Sequence, residues 1–504
     1  MKIYLILAIP LICALLSLLF KNRKVDGILT FIGTAIVFFL SLLMAEEVIK
    51  KGSVTILHSW ISCDGLSALI LLLISFIGVT ASLFSIGYLR EEEGHLEKSA
   101  GSRYYLHFNL FLFSMLAVPV LSELALVWIA IEFTTLFSVL LVRFENTKQA
   151  LEAAWKYIVL TMMGASFALI GFFLLEGGIQ AAGGGAFTWN ELLKLSPAVS
   201  PPLLKLAFIF ILIGFGTKVG LFPLHTWLPD AHSQAPSPVC ALLSGIETTV
   251  VLYVILRLFP VLQGDPSFHA MDFTLFLGLL SAGAGAFLIF QVRDYKRLFA
   301  FSTIEQMGII LTASSLGSTT GMAGAVFQIF THALTKSFCF YAAGSVLLVT
   351  GTREISSIKG LLRQSPYAGT SLLLGGLALS GFPPFALFMS EFFILKTWIF
   401  AGYDWISGVL AVFLLAAFIG ILFHINRMVF GKSENSKKSS LPFPCKLSLL
   451  ISAIPVLLFG IWIPPFLHHL LHAASLSLVR VTVVKTHPLS LMCQMHSFYR
   501  RGER

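Results

Sequence analysis

Apolar residues run along this chain in long blocks, and polar residues cluster in the short intervals between them. A helix needs about 20 predominantly apolar residues to cross roughly 30 Å of hydrocarbon. Blocks of that size fall at 3–20, 27–45, 64–88, 105–121, 123–142, 152–176, 202–222, 236–258, 272–292, 298–317, 320–350, 369–397, 405–427 and 447–465. The runs are continuous and do not alternate, which predicts helices and not the strands of a membrane barrel. The pattern predicts an all-α polytopic membrane protein of about fourteen spans. The first run lacks a small-x-small cleavage site and leads directly into Lys21, Arg23 and Lys24, so it reads as a retained span.

Two spans are interrupted. KVGLFPLHTWLP (Lys218 to Pro229) breaks the seventh at Pro223, and GFPP (Gly381 to Pro384) breaks the twelfth at Pro383 and Pro384. Proline removes a backbone donor and frees a carbonyl. Inside a bilayer such groups need protein or water, so a broken helix implies a polar interior. Paired breaks in two halves of a chain mark transport sites.

Composition agrees with this pattern. Charged residues are 12% and apolar residues 57% of 504 positions, against about a quarter charged in soluble domains. The net charge of +9 points to topology and not to nucleic acid, because the basic residues sit in short loops between apolar spans and concentrate in every second loop. With the N-terminus outside, the predicted cytoplasmic loops hold 20 of the 34 Lys and Arg residues, at Lys21, Arg23, Lys24, Arg90, Lys98, Arg103, Arg143, Lys148, Lys156, Arg293, Lys296, Arg297, Arg353, Lys359, Arg363 and from Arg427 to Lys446. The opposite loops before the C-terminal tail hold six, Lys2, Lys50, Lys51, Lys194, Lys205 and Arg257. The positive-inside rule therefore predicts an inner-membrane protein with both termini extracytoplasmic.

The candidate chemistry lies within the spans. Glu132 sits in LALVWIAIEFTTLFSVLL, Lys218 in FIFILIGFGTKVGLF, Glu247 in ALLSGIETTVVLYVIL, Glu305 in FAFSTIEQMGIIL, His332 and Lys336 in AVFQIFTHALTKSFCFYAAG, and Glu391 in FALFMSEFFIL. A charge at the bilayer centre costs roughly 2.5–3.5 kcal/mol even on a lenient scale, so seven such residues imply function. Carboxylates, lysine and histidine can each hold or release a proton, and His332 and Lys336 share one helical face. A Glu132–Lys218 ion pair would keep the lysine charged, and separating it would let the proton leave. Static buried pairs are the structural alternative.

Other chemistry is poorly supported. GFGTKVG lacks the phosphate-loop spacing and lies in an apolar span, so no nucleotide site is expected. Cys13, Cys63, Cys240, Cys339, Cys445 and Cys493 never form C-x-x-C and read as packing residues. His225 and His232 in HTWLPDAH lack a dense ligand cluster. They fit helix-break or water-wire roles, and no metal site is expected.

GTKVGLFPLHTWLPDAHSQAPSPVCALLSG, DYKRLFAFSTIEQMG and HALTKSFCFYAAG closely resemble the antiporter-like subunits of proton-pumping NADH:quinone oxidoreductase. They are also similar to subunits of multisubunit cation/proton antiporters and of membrane-bound [NiFe] hydrogenases. The resemblance covers about residues 60 to 425. It implies fourteen helices with two inverted five-helix repeats: an N-terminal segment 1–104, repeats at 105–258 and 272–427, a last helix at 447–465 and a tail 466–504. It places Glu132 on the family's fifth-helix glutamate, Lys218 on its seventh-helix lysine, His332 and Lys336 on its eleventh-helix relay and Glu391 on its twelfth-helix Lys/Glu position. Many relatives carry an eighth-helix lysine where this chain has Thr249, and Glu247 lies two residues earlier. That substitution, with Glu305 in STIEQMG, most resembles the F-type membrane component of hydrogenase-4. The implied function is proton translocation within a redox-driven complex. Nickel–iron, iron–sulfur, flavin or quinone sites would belong to partner subunits and none to this chain. A Na⁺/H⁺ antiporter subunit and a non-transporting assembly scaffold are the alternatives.

Overall fold

A computed structural model describes residues 1–57, 60–91, 100–262, 270–432 and 440–479. Lys98, Lys437, Lys438, Cys493 and the tail from residue 480 lie outside the described residues, as does the Arg90 side chain.

The chain folds as helices in order: α1 Lys2–Phe20, α2 Arg23–Lys51, α3 Gly65–Glu91, α4 Ala100–Ala117, α5 Leu124–Val142, α6 Lys148–Ala181, α7 Trp189–Leu195, α8 Pro201–Val219, α9 Trp227–Gln234, α10 Ser237–Leu242, α11 Thr248–Leu256, α12 Phe259–Leu262, α13 Ala270–Leu288, α14 Tyr295–Ser314, α15 Thr319–Thr350, α16 Leu361–Gln364, α17 Pro366–Leu379, α18 Ala386–Phe400, α19 Asp404–Val429, α20 Phe443–Ile461 and α21 Pro465–Leu476. Between α2 and α3 a small antiparallel hairpin pairs β1 (Val54–Ile56) with β2 (Ile61–Cys63), Val54 opposite Cys63. Among the described residues, eleven helical segments are long and apolar enough to cross a membrane.

Side-chain caps start several helices inside the polar intervals, in three of four cases a few residues before the predicted span. Asn22 Oδ1 accepts from Lys24 N at 3.1 Å, Glu123 Oε2 from Leu126 N at 2.7 Å, Thr147 Oγ1 from Ala150 N at 3.1 Å and Asp294 Oδ1 from Lys296 N at 2.7 Å. Each satisfies a backbone donor that has no carbonyl partner in the first turn.

The predicted seventh span, 202–222, ends earlier. α8 stops at Val219, where Gly220 adopts a left-handed conformation (φ 84°) and its N–H bonds back to Gly216 and Thr217. The twelfth span, 369–397, divides into α17 and α18 around Gly381 to Pro384. A further helix, α21, occupies the start of the segment read as a tail from 466. It packs so closely on α3 that a Cβ at Gly65 would meet the Ala473 backbone.

Burial separates an inside from an outside. Every residue of the segment Ser237–Leu262 except Arg257 is buried. By contrast, Leu15, Trp155, Phe173, Phe276, Leu415 and Leu450 expose more than half their surface. Large apolar side chains facing outward on otherwise helical walls are the surface a lipid-embedded bundle presents. Small residues bring helices together inside: a Cβ on Gly214 of α8 would strike the Ala168 and Gly164 backbone of α6, and one on Gly308 of α14 would strike Ala282 of α13. Such close approach is the usual packing device where lipid removes the hydrophobic drive between helices.

Candidate functional site: a buried chain of ionisable side chains

The helix break after Val219 leaves Lys218 in the last turn of α8, with 1% of its side chain exposed. Its ammonium donates to the Ile131 carbonyl and the Thr135 hydroxyl of α5. The carboxylate beside it is Glu247, 3.8 Å away and equally buried. Glu132 forms no ion pair with Lys218 among the described residues. Its Oε1 is buried without a hydrogen-bond partner there, while the side chain as a whole is only partly enclosed. The Glu132–Lys218 pair expected from sequence is therefore corrected to Glu247–Lys218. Glu132 is only partly enclosed, whereas Ile131, Thr134 and Thr135 beside it on α5 are fully buried, and the last two reach Glu247 and Lys218.

Glu247 is held by hydroxyls. Its Oε1 accepts from Tyr157 of α6 at 2.8 Å, from Thr134 at 3.0 Å and from Ser138 at 3.5 Å, while Oε2 has no protein partner among the described residues. Glu247 ends a π-helical turn, Leu243–Glu247, between α10 and α11. Such single wide turns are frequent at functional sites. Thr249 turns back to its own helix and donates to the Gly245 carbonyl at 3.2 Å.

The same turn reaches the second half of the molecule. His332 Nε2 of α15 lies 3.1 Å from the Ser244 carbonyl, and the Ser244 hydroxyl pairs with Thr303 Oγ1 of α14 at 2.6 Å. A Cβ at Gly245 would press on the Ala333 carbonyl, so the glycine lets the turn sit against α15. One helical turn along α15, Lys336 donates to the Phe299 carbonyl at 2.6 Å and to the Ser302 hydroxyl of α14. His332 and Lys336 thus share a face, as their spacing predicted, but they serve different partners. Glu305 of α14 is buried, and its Oε2 has no partner among the described residues.

The chain of polar groups continues to the second break. Gln306 donates to Glu391 Oε1 at 3.0 Å, Gln328 donates to Gln306, and Thr331 pairs with Ser390 at 2.7 Å. Gly381 has φ +69°, and a Cβ there would come well inside van der Waals contact distance of Glu391 Oε2. Glycine at this break thus serves twice, allowing the left-handed backbone and making room for the carboxylate.

The auxiliary residues lie near the first break. His225 stacks on Phe222 with ring centroids 5.2 Å apart. His232 is fully buried and its Nδ1 is 2.8 Å from the Leu228 carbonyl. Lys296, counted from sequence as a loop cation, is instead buried and donates to the Ala235 carbonyl at 2.5 Å. No group of three or more His, Cys, Asp or Glu among the described residues could hold a metal ion.

Sequence reasoning did not single out Thr134, Thr135, Ser138, Tyr157, Ser302, Gln306 or Gln328. A signal existed: these are polar side chains inside apolar spans, and Thr134 and Ser138 are one turn apart on α5.

With ionisable side chains threaded through a helical interior and apolar side chains facing outward, the molecule is a polytopic membrane protein of the ion-translocating class. Residues 121–420 match the family model described as NADH:quinone oxidoreductase/Mrp antiporter, TM, and residues 56–97 match that for the complex I chain 5 N-terminus. The chain belongs to this antiporter-like membrane-subunit family. It is 37% identical to the hydrogenase-4 component F homolog of Methylacidiphilum infernorum over 81% of this chain and 86% of the relative. To NADH-quinone oxidoreductase subunit N of Desulforudis audaxviator it is 27% identical over 79% of each. Its fold matches a chain of the membrane-bound sulfane sulfur reductase, an archaeal respiratory membrane complex, with TM-score 0.85 and 24% identity, covering 95% of this chain and 98% of that one.

Proposed function

We propose that this chain is the proton-translocating membrane subunit of a redox-driven respiratory complex of hydrogenase-4 type. The observation that carries the reading is the π turn at Leu243–Glu247. On one side its carboxylate faces Lys218 at 3.8 Å, and on the other its Ser244 carbonyl meets His332 at 3.1 Å. The turn thereby joins the ionisable groups of two halves in the absence of the eighth-helix lysine.

In this reading protons pass between Lys218 and Glu247, across the His332 junction to Lys336 and Glu305, and leave through Glu391. Glu132 sits at the outer edge of the first half, with His225 and His232 flanking the break. Each transfer depends on charged groups separating and re-pairing, since a shift of one pKa unit is about 1.4 kcal/mol. The chain spans the inner membrane fourteen times with both termini extracytoplasmic, and residues 105–258 and 272–427 are inverted repeats. Its partners are other membrane subunits and a peripheral redox arm, where nickel–iron, iron–sulfur, flavin or quinone chemistry resides.

The family also includes subunits of Mrp antiporters, so a Na⁺/H⁺ antiporter subunit is the second reading. Mass spectrometry of the gently solubilised complex, combined with dye-reported proton uptake in vesicles, separates them. Co-purifying [NiFe] hydrogenase subunits and redox-driven uptake are expected. Antiporter subunits alone, with Na⁺-driven exchange, would replace this reading with the second.

A further inference from the structure

Tyr157 of α6 is fully buried, and its hydroxyl bonds both Glu247 Oε1 at 2.8 Å and Ser138 Oγ at 2.7 Å. Its ring stacks on Trp227 with centroids 4.5 Å apart and planes 25° from parallel. Trp227 opens α9, the first helix after the break, and its indole N–H donates to the Thr217 carbonyl at 2.7 Å. Thr217 immediately precedes Lys218. The two members of the ion pair are thus tied to one aromatic couple, Glu247 through a phenol and Lys218 through the backbone that an indole holds.

We propose that Tyr157 is a positioning residue that keeps Glu247 apart from Lys218 and couples their separation to the segment after the helix break. The inference rests on the proton-relay reading above.

The 3.8 Å spacing supports it. A charge-assisted bond between ammonium and carboxylate closes to about 2.7–2.9 Å when nothing competes. Here Tyr157, Thr134 and Ser138 crowd Glu247 Oε1, and Ile131 and Thr135 hold the lysine. Removing the phenolic hydroxyl vacates one approach to Oε1 and lets Lys218 close on it. A closed pair holds its proton more firmly. Displacing Trp227, as a movement of α9 does, pulls on both members together. The titratable groups that face the pair are Glu132 of α5, Tyr157 itself and, across the π turn, His332 of α15.

The test is Tyr157→Phe in the intact complex, which keeps the ring and its stack on Trp227. Redox-driven proton uptake is measured against pH, with the amount of assembled complex alongside. We expect assembly near the native level, uptake at neutral pH reduced about tenfold, and recovery of much of that loss about one pH unit higher. Trp227→Phe, which keeps a stack but loses the bond to Thr217, should displace the profile in the same direction. A Tyr157→Phe profile superposable on the native one overturns the proposal, as does a loss of activity in strict proportion to lost complex. Glu247→Gln run in parallel separates the two failures. If that variant also pumps normally, the relay reading falls. If it is inactive while Tyr157→Phe is native-like, only the role of Tyr157 falls.

Discussion

The Lys218 ammonium lies 3.8 Å from the Glu247 carboxylate, with 1% and 2% of the two side chains exposed. Removing one partner of such a pair strands a buried charge and is destabilising by about 3–5 kcal/mol. Lys218→Met is therefore expected to lower the amount of intact complex as well as transport. Lys218→Arg keeps the charge but does not readily release a proton, and it should retain more complex while transport is lost. The measurement is dye-reported uptake normalised to assembled complex. Normal transport by Lys218→Arg would make this lysine a structural cation.

Glu132 and Glu247 should part company under amide replacement. Glu132→Gln leaves the ion pair in place, so assembly is expected at the native level with uptake reduced several-fold. Glu247→Gln leaves Lys218 without its carboxylate and should reduce both uptake and thermal stability of the complex. Greater destabilisation by Glu132→Gln would assign the lysine to Glu132 after all.

His332→Ala removes a donor from the Ser244 carbonyl, yet Thr248 Oγ1 still bonds that oxygen at 3.1 Å. The carbonyl is not stranded, so the lost hydrogen bond itself should cost ~1 kcal/mol, with the cavity left by the buried ring adding to it. Proton uptake should fall much further, because the junction between the halves is lost. Parallel loss of assembly and uptake in a detergent titration would mark His332 as structural.

Gly381→Ala places a methyl group against Glu391 Oε2 at a residue with φ +69°. Left-handed strain at a non-glycine residue is of order 1–3 kcal/mol. Thermal melting should show a loss of that order, and transport should fall further because the carboxylate must move from Gln306. Gly375→Ala on α17, the helix that leads into the break, serves as the comparison. Its Cβ would have no atom nearer than the Cys339 sulfur at 3.4 Å, and near-native transport is expected. Equal behaviour of the two variants would remove the special role of Gly381.

The membrane class, most helix positions and most of the buried ionisable residues of the relay were legible in the sequence, but Lys296, read as a loop cation, and Asp26 were not. Each depends on composition and periodicity within about 20 residues, and a charge in an apolar run is conspicuous wherever the helix ends up. His332 and Lys336 on one face of α15 follow from helical geometry alone, and the two breaks follow from proline and glycine. What a lysine pairs with is a different kind of question. Lys218, Glu132 and Glu247 stand on three segments, and only the packing of α5, α8 and the π turn brings Glu247 to 3.8 Å from the ammonium. A π turn adds a residue to one turn of backbone without any local signature that distinguishes it from regular helix, so the bridge from Ser244 to His332 was invisible until the helices were packed. Residue order alone settles which groups can carry charge within this membrane. Which of them meet is settled by helix packing, because pairing energy falls off over a few ångströms while the order of residues along a chain leaves the distance between helices open.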